Sequence, residues 1–152
     1  MRVGVFGGTF DPPHVGHLIA VADAAEALAL DQVIVIPAAA HPLKRDAVAA
    51  TPSQRLDMVR LTVADDPRLT VDAIEIDRPG LSFTVETLRE LARRSPTDQR
   101  FLIVGADVVE SFAQWREPLA IMGLAELAIL RRGEVEMDAL AGCLPRDRKS
   151  VV

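Results

Sequence analysis

Residues 2–18 read RVGVFGGTFDPPHVGHL, and this stretch decides the fold. Arg2–Phe6 is a short apolar run carrying two β-branched valines, the pattern of a buried strand. Gly7-Gly8 ends it, because paired glycines favour a turn over continued extension. From Val15 the period changes. Leu18, Val21, Ala22, Ala25 and Leu28 recur at three and four residues and share one face of a helix over 15–28. Strand, glycine turn and helix in that order form the first half of a βαβ crossover.

The same rhythm continues outward. Gln32–Pro37 (QVIVIP) is a second buried strand, closed by a proline that cannot donate to a ladder. Thr51 reads as an N-cap, with Pro52 at the first helical position and Gln54 completing a capping box. Leu56, Val59 and Val63 form the apolar face of that helix. Leu69–Asp77 alternates as a strand does, until Pro79-Gly80 break it. Thr84–Arg94 is helical, with Val85, Leu88 and Leu91 on one side. Arg100–Val104 is a strand running into Gly105, Asp107–Trp115 is helical, and Glu126–Leu130 is a fifth strand. The expected fold is α/β, a doubly wound open parallel sheet with helices on both faces. Residues 1–133 read as one domain and 134–152 as an irregular tail.

Composition narrows the function. A chain of 152 residues with 49% apolar and 26% charged residues has the size of one domain with its own core. The mean hydropathy of +0.20 comes from alanine and valine, and runs such as Ala27–Leu30 are far too short to cross a bilayer. The first residues lack a signal peptide's apolar region, which argues against export. A single cysteine, Cys143, excludes an internal disulfide and fits a reducing cytoplasm. The net charge of −5, with no basic run, argues against nucleic-acid binding while leaving a small phosphorylated ligand open.

The chemistry concentrates after the first strand. The turn is neither G-x-G-x-x-G nor a P-loop, so the two commonest nucleotide fingerprints are absent. His14-Val15-Gly16-His17 stands instead at the first turn of the helix. An offset of three puts both imidazoles on one face, beside the free amides and positive dipole end of the helix. Gly16 leaves room between the rings for a backbone or phosphate. Such a pair can donate to phosphate oxygens and stabilise charge growing in a phosphoryl- or nucleotidyl-transfer transition state. Two plainer readings compete: a metal triad of Asp11, His14 and His17, which lacks a fourth ligand at suitable spacing, and a turn cap beside a core histidine.

The segment GTFDPPHVGHL, residues 8–18, resembles the signature of the nucleotidylyltransferase superfamily, and the longer match over about 1–133 resembles the bacterial nicotinate-nucleotide adenylyltransferase family. The resemblance implies a Rossmann-like nucleotidylyltransferase fold. It implies adenylyl transfer from ATP to nicotinate mononucleotide, giving deamido-NAD and pyrophosphate. His14 and His17 are then the catalytic pair and contact ATP, with Gly8, Thr9 and Phe10 lining the nucleotide site. Ser82–Leu88 (SFTVETL) resembles the family's Thr-Tyr-Thr-x-Asp-Thr-Leu segment, with Phe83 for tyrosine and Glu86 for aspartate, and the resemblance places Thr87 on the pyridine carboxylate side of the substrate. Gly105-Ala106-Asp107 with Phe112 and Trp115 resembles the family's Gly-x-Asp and aromatic pair. Gly105 and Asp107 then join the ATP site, and Trp115 offers a flat face to the nicotinate ring. Lys44 aligns with a lysine that approaches substrate phosphate, and Arg131 with an arginine that faces ATP, although Arg132 stands where the family has proline.

Mg²⁺ is expected to arrive with ATP, with no dedicated metal site in the protein. The expected partners are ATP and nicotinate mononucleotide, with neither nucleic acid nor membrane, and a homo-oligomer stays open. The family's Ile-Ser-Ser-Thr-x-x-Arg motif has no counterpart in the tail. Residues 147–152 (DRKSVV) coincide with the translation of a widely used sequencing adapter, so the reading expects the gene's own frame to have been left there. Adenylyl transfer to phosphopantetheine or another acceptor, and an inactive nucleotide-binding fragment, are the alternatives.

Overall fold

The computed structural model describes residues 1–40, 48–131 and 149–151. The chain builds β1 (Arg2–Gly8), α1 (Val15–Ala27), β2 (Gln32–Pro37), α2 (Pro52–Val63), β3 (Leu69–Val71), α3 (Ile74–Asp77), α4 (Thr84–Arg94), β4 (Gln99–Gly105), α5 (Ala106–Val109), a 3₁₀ turn at Phe112–Gln114, α6 (Pro118–Leu124), β5 (Glu126–Leu130) and β6 (Lys149–Val151). The strands form one sheet in the order β3-β2-β1-β4-β5-β6, and every neighbouring pair is parallel. The expected doubly wound parallel sheet is what the chain adopts.

Strand alternation feeds two apolar layers. On β4, Phe101 and Ile103 pack with Val21, Ala24, Ala25 and Val59 from α1 and α2. Leu102 and Val104 pack on the other face with Leu88, Leu91 and Ile121 from α4 and α6. A strand buried on both faces has no polar alternation to show, and this is why RFLIV reads as one apolar run. At the end of α2 nearest the sheet's carboxyl edge, the Thr51 Oγ1 accepts from Gln54 N–H at 3.2 Å and the Gln54 side chain accepts from Thr51 N–H at 2.9 Å. That reciprocal cap fixes where the helix starts.

Three elements differ from the sequence expectation. The strand expected over Leu69–Asp77 stops at Val71, because the Asp72 carboxylate accepts from the Ile74 N–H at 2.9 Å and turns the chain into α3. The helix expected over Asp107–Trp115 divides into α5 and the 3₁₀ turn. Helix α6, which carries no strong periodic signal, begins at Pro118, where a missing N–H is harmless. In the segment read as an irregular tail, Lys149–Val151 adds an edge strand beside β5. The rest of that tail, 132–148 and 152, lies outside the described residues.

Candidate functional site

Strand pairing opens the site. The β1–β2 register runs to Gly8↔Pro37 and the β4–β5 register to Gly105↔Leu130, but the β1–β4 register ends at Val5↔Leu102. Beyond that pair the two central strands part, at the point where the crossovers leave in opposite directions. A cleft of about 240 Å³ lies there, with Gly7, Gly8, Thr9 and Gly105 among its lining residues. The Thr9 hydroxyl oxygen is buried without a hydrogen-bond partner among the described residues. A Cβ on Gly105 would lie 2.5 Å from an Asp107 carboxylate oxygen, so glycine is what lets that carboxylate curl back over the strand end.

The two histidines stand at the first turn of α1. His14 is the N-cap, with extended backbone at φ −145° and ψ 170°. Its N–H donates to the His17 Nδ1 at 3.0 Å, while its carbonyl accepts from the His17 N–H at 3.0 Å. An Nδ1 that accepts holds no proton, so the proton of the neutral His17 ring sits on Nε2. The rings stack with centroids 3.7 Å apart. A Cβ on Gly16 would approach the His14 ring to 2.9 Å. The space that glycine leaves is therefore taken by the His14 ring itself. Phe10 meets the other side of His17 edge-on at 5.1 Å. It is buried in the α1–α2 layer with a left-handed φ of 53°, and so braces the histidine from below the turn.

Beneath the turn, Arg55 ties the strand ends together. Its guanidinium donates to the carbonyls of Thr9 at 2.8 Å, Ala39 at 3.0 Å and also Ala38, and its Nε to Ala50 at 3.4 Å. The side chain is almost completely buried, and burial pulls its ionisation below the ordinary arginine value, opposed by the charge of Asp11. The Asp11 carboxylate accepts from the Ala49 and Ala50 N–H groups at 2.6 and 3.1 Å. The loops after β1 and β2 and the start of α2 are thus one hydrogen-bonded unit.

The far wall of the cleft comes from α3, α4 and the segment after α5. The Thr87 hydroxyl donates to Glu75 at 2.7 Å and accepts from Arg78 at 2.7 Å. Burial pushes the Glu75 carboxyl above its usual range, against hydrogen bonds from Thr87 and Ser82 and the charge of Arg78. Ser82 Oγ accepts from the Ala39 N–H at 3.2 Å, joining this wall to the end of β2. Trp115 is half-buried, its ring centroid 5.5 Å from that of Phe112. The Arg116 guanidinium lies 4.7 Å over the Phe83 ring.

Of the residues singled out from sequence, Gly8, Thr9, Gly105, Thr87 and Trp115 line this cleft. His14 and His17 stand at the first turn of α1, outside its lining, and Phe10 lies beneath the turn. Asp107 is exposed just beyond Gly105, Arg131 is exposed past the end of β5, and Lys44 lies outside the described residues. Arg55, Glu75 and Arg116 were not among them, and Ser82 entered only as the first residue of the Ser82–Leu88 motif. Arg55 had a readable signal, since it shares the spacing of four with Val59 and Val63 and so falls on the apolar face. Glu75 was hidden by reading its segment as strand. Among the described residues, no three His, Cys, Asp or Glu side chains converge to hold a metal ion, and no helix is long and apolar enough to cross a membrane.

Residues 5–146 match the family model described as cytidylyltransferase-like. A relative from Thermus thermophilus named "Probable nicotinate-nucleotide adenylyltransferase" is 46% identical over 132 residues, which cover 87% of this chain and 70% of that one. Relatives of the same name from Gemmatimonas aurantiaca and Acidothermus cellulolyticus are 45% and 37% identical, covering 87% and 99% of this chain and 62% and 74% of theirs. The chain thus spans between 62% and 74% of the length of these three relatives. Among solved structures, Plasmodium falciparum nicotinic acid mononucleotide adenylyltransferase complexed with NaAD superposes with a TM-score of 0.83 at 13% identity, over 99% of this chain and 74% of that one.

Proposed function

Because the chain belongs to the cytidylyltransferase-like family, among its nicotinate-nucleotide adenylyltransferases, we propose that it transfers the adenylyl group of ATP to nicotinate mononucleotide, giving deamido-NAD and pyrophosphate. The observation that carries this reading is the stacked His14–His17 pair on the first turn of α1, beside the cleft where β1 parts from β4.

A phosphate oxygen of the mononucleotide attacks the α-phosphorus of ATP. The new P–O bond forms as the bond to the β-phosphate bridge breaks, and pyrophosphate leaves with the electron pair. No covalent intermediate on the protein is needed, so the residues act by position and charge. His17, its tautomer fixed by the His14 amide, presents an Nε2–H donor to the phosphates. His14 stacks on it and adds a second imidazole. Gly8, Thr9, Gly105, Asp107 and Arg131 belong to the ATP side, and the glycines allow close approach of main chain to the nucleotide. Thr87, Trp115 and Lys44 belong to the nicotinate side. Phe10 acts through His17 by bracing its ring. Mg²⁺ enters as part of the MgATP substrate, held by the phosphate oxygens, and the lone Cys143 is in keeping with a cytoplasmic reaction.

Pyrophosphate release is the direct test, with ATP and a panel of acceptors: nicotinate mononucleotide, nicotinamide mononucleotide and phosphopantetheine. Release with a pyridine mononucleotide supports the reading. A preference for phosphopantetheine, or ATP binding without release from any acceptor, overturns it, and the latter marks a nucleotide-binding fragment. The His17→Ala protein should lose about 10²–10³ in kcat with a much smaller change in ATP affinity. Equal losses in both would place His17 in ground-state binding instead.

A further inference from the structure

A fully buried arginine is ordinarily paired with a carboxylate. Arg55 is 1% exposed, yet its hydrogen-bond acceptors among the described residues are the peptide carbonyls of Thr9, Ala38, Ala39 and Ala50. The charge that opposes it, on Asp11, is engaged by the Ala49 and Ala50 N–H groups. A guanidinium keeps its proton in such a place. A positive charge with no carboxylate hydrogen-bonded to it therefore lies under the turn after β1, where little water screens it.

Geometry directs that charge to one peptide. The Thr9 carbonyl accepts from Arg55 at 2.8 Å, and the peptide from Thr9 to Phe10 is trans. A trans peptide points its N–H opposite to its C=O, so the Phe10 N–H faces away from the guanidinium. Phe10 holds a left-handed φ of 53°, which a bulky residue keeps only when its surroundings impose it. Thr9 itself lines the cleft, and its buried hydroxyl oxygen has no partner among the described residues. Arg55 is not part of that lining.

We propose that Arg55 is a positioning residue for the phosphates of the nucleotide: acting through Thr9, it sets the turn after β1 and supplies positive charge beneath it. The inference rests on the adenylyl-transfer reading above and adds a group that no ligand atom has to reach. A carbonyl bonded to a cation polarises its peptide, and the N–H at the other end becomes a stronger donor to an anion. The fork matters as well as the charge. Lysine keeps the charge but cannot span the separate carbonyls, and methionine keeps neither.

Calorimetric titration of the full chain with MgATP and with adenosine tests this without requiring turnover, and pyrophosphate release gives kcat and KM alongside. Far-ultraviolet circular dichroism checks that each variant is folded at the assay temperature. Arg55→Met should weaken MgATP about tenfold or more and adenosine by less than about twofold. Its KM for nicotinate mononucleotide should stay near that of the wild type. Arg55→Lys should lie between the two in MgATP affinity, and it carries the test alone if Arg55→Met does not fold. Thr51→Ala removes the cap of α2 and leaves the guanidinium in place. It should lower the melting temperature without moving either affinity. Equal losses for MgATP and adenosine, a wild-type MgATP affinity in Arg55→Lys, or a Thr51→Ala protein as impaired as the arginine variants each overturn the assignment. A wild-type chain that binds MgATP but transfers nothing to a pyridine mononucleotide overturns the reaction, and the affinities still decide the role of Arg55. One that binds no MgATP overturns both.

Discussion

The first turn of α1 shows how one missing methyl group arranges two side chains. Gly16 sits where a Cβ would press on the His14 ring at 2.9 Å, so alanine there must push that ring off His17. Alanine also favours helix over glycine by about 0.5–1 kcal/mol. Gly16→Ala should therefore lower kcat by about tenfold or more while the melting temperature holds or rises, a divergence that turnover assays and thermal unfolding read separately. A parallel fall in both would mean that the glycine serves the fold. The pairing of the histidines was legible in the sequence from their offset of three at a helix start, although His14 itself is the extended N-cap. The tautomer was not, since it depends on a main-chain amide at an extended N-cap. Glu75 and Arg116 escaped for a related reason: their meaning comes from neighbours distant in the chain or from a turn that propensity does not announce.

At the scale of elements, position along the sheet matters more than helix propensity. The extents of β2, α4 and β5 follow directly from apolar period and flanking breakers, and the Thr51–Gln54 cap is readable residue by residue. The stretch between β4 and β5 resisted, because α5 and α6 are held by tertiary contact. Arg89, for example, grips Glu117 through two hydrogen bonds of 3.0 and 2.7 Å just before α6. Arg55 works between elements in the same way and at greater depth. Arg55→Met preserves much of the volume but strands the carbonyls of Thr9, Ala38 and Ala39, that of Ala38 buried and the other two partly so. Unmet groups of this kind cost about 1–3 kcal/mol each, so a loss of about 3 kcal/mol or more in urea unfolding is expected. Arg55→Lys should recover only part of it, since one ammonium cannot span three acceptors. A loss under about 1 kcal/mol in Arg55→Met would show that the loops are held by other contacts.

Across the whole molecule the sheet is the shared wall of both apolar layers. Trp115 packs against the layer of α4 and α6, whereas Val59 is buried in the opposite one. If β1, β4 and β5 couple the two, Val59→Ala should move the unfolding midpoint seen by Trp115 fluorescence as far as that seen by far-ultraviolet circular dichroism, a shift equivalent to about 2 kcal/mol. A displaced circular-dichroism transition beside an unmoved fluorescence one would show that the layers unfold separately. The doubly wound order itself was legible from the alternation of strands and helices, since parallel crossovers admit few topologies. The edge strand β6 was not, because three residues are too few to carry a period.

The early end of the β1–β4 ladder has an evolutionary consequence. Gly7, Gly8 and Gly105 line the cleft where the two strands part, and a mutation that exchanges one side chain for another leaves a peptide group as it was. Such a lining is inherited by any sequence able to fold this way. Novelty is confined to a few positions on the far wall, around Phe83, Trp115 and Arg116, which can be rewritten without disturbing a strand. Under the proposed adenylyl transfer, a scaffold divided in this manner would change its acceptor through the far wall while its treatment of the nucleotide stays fixed.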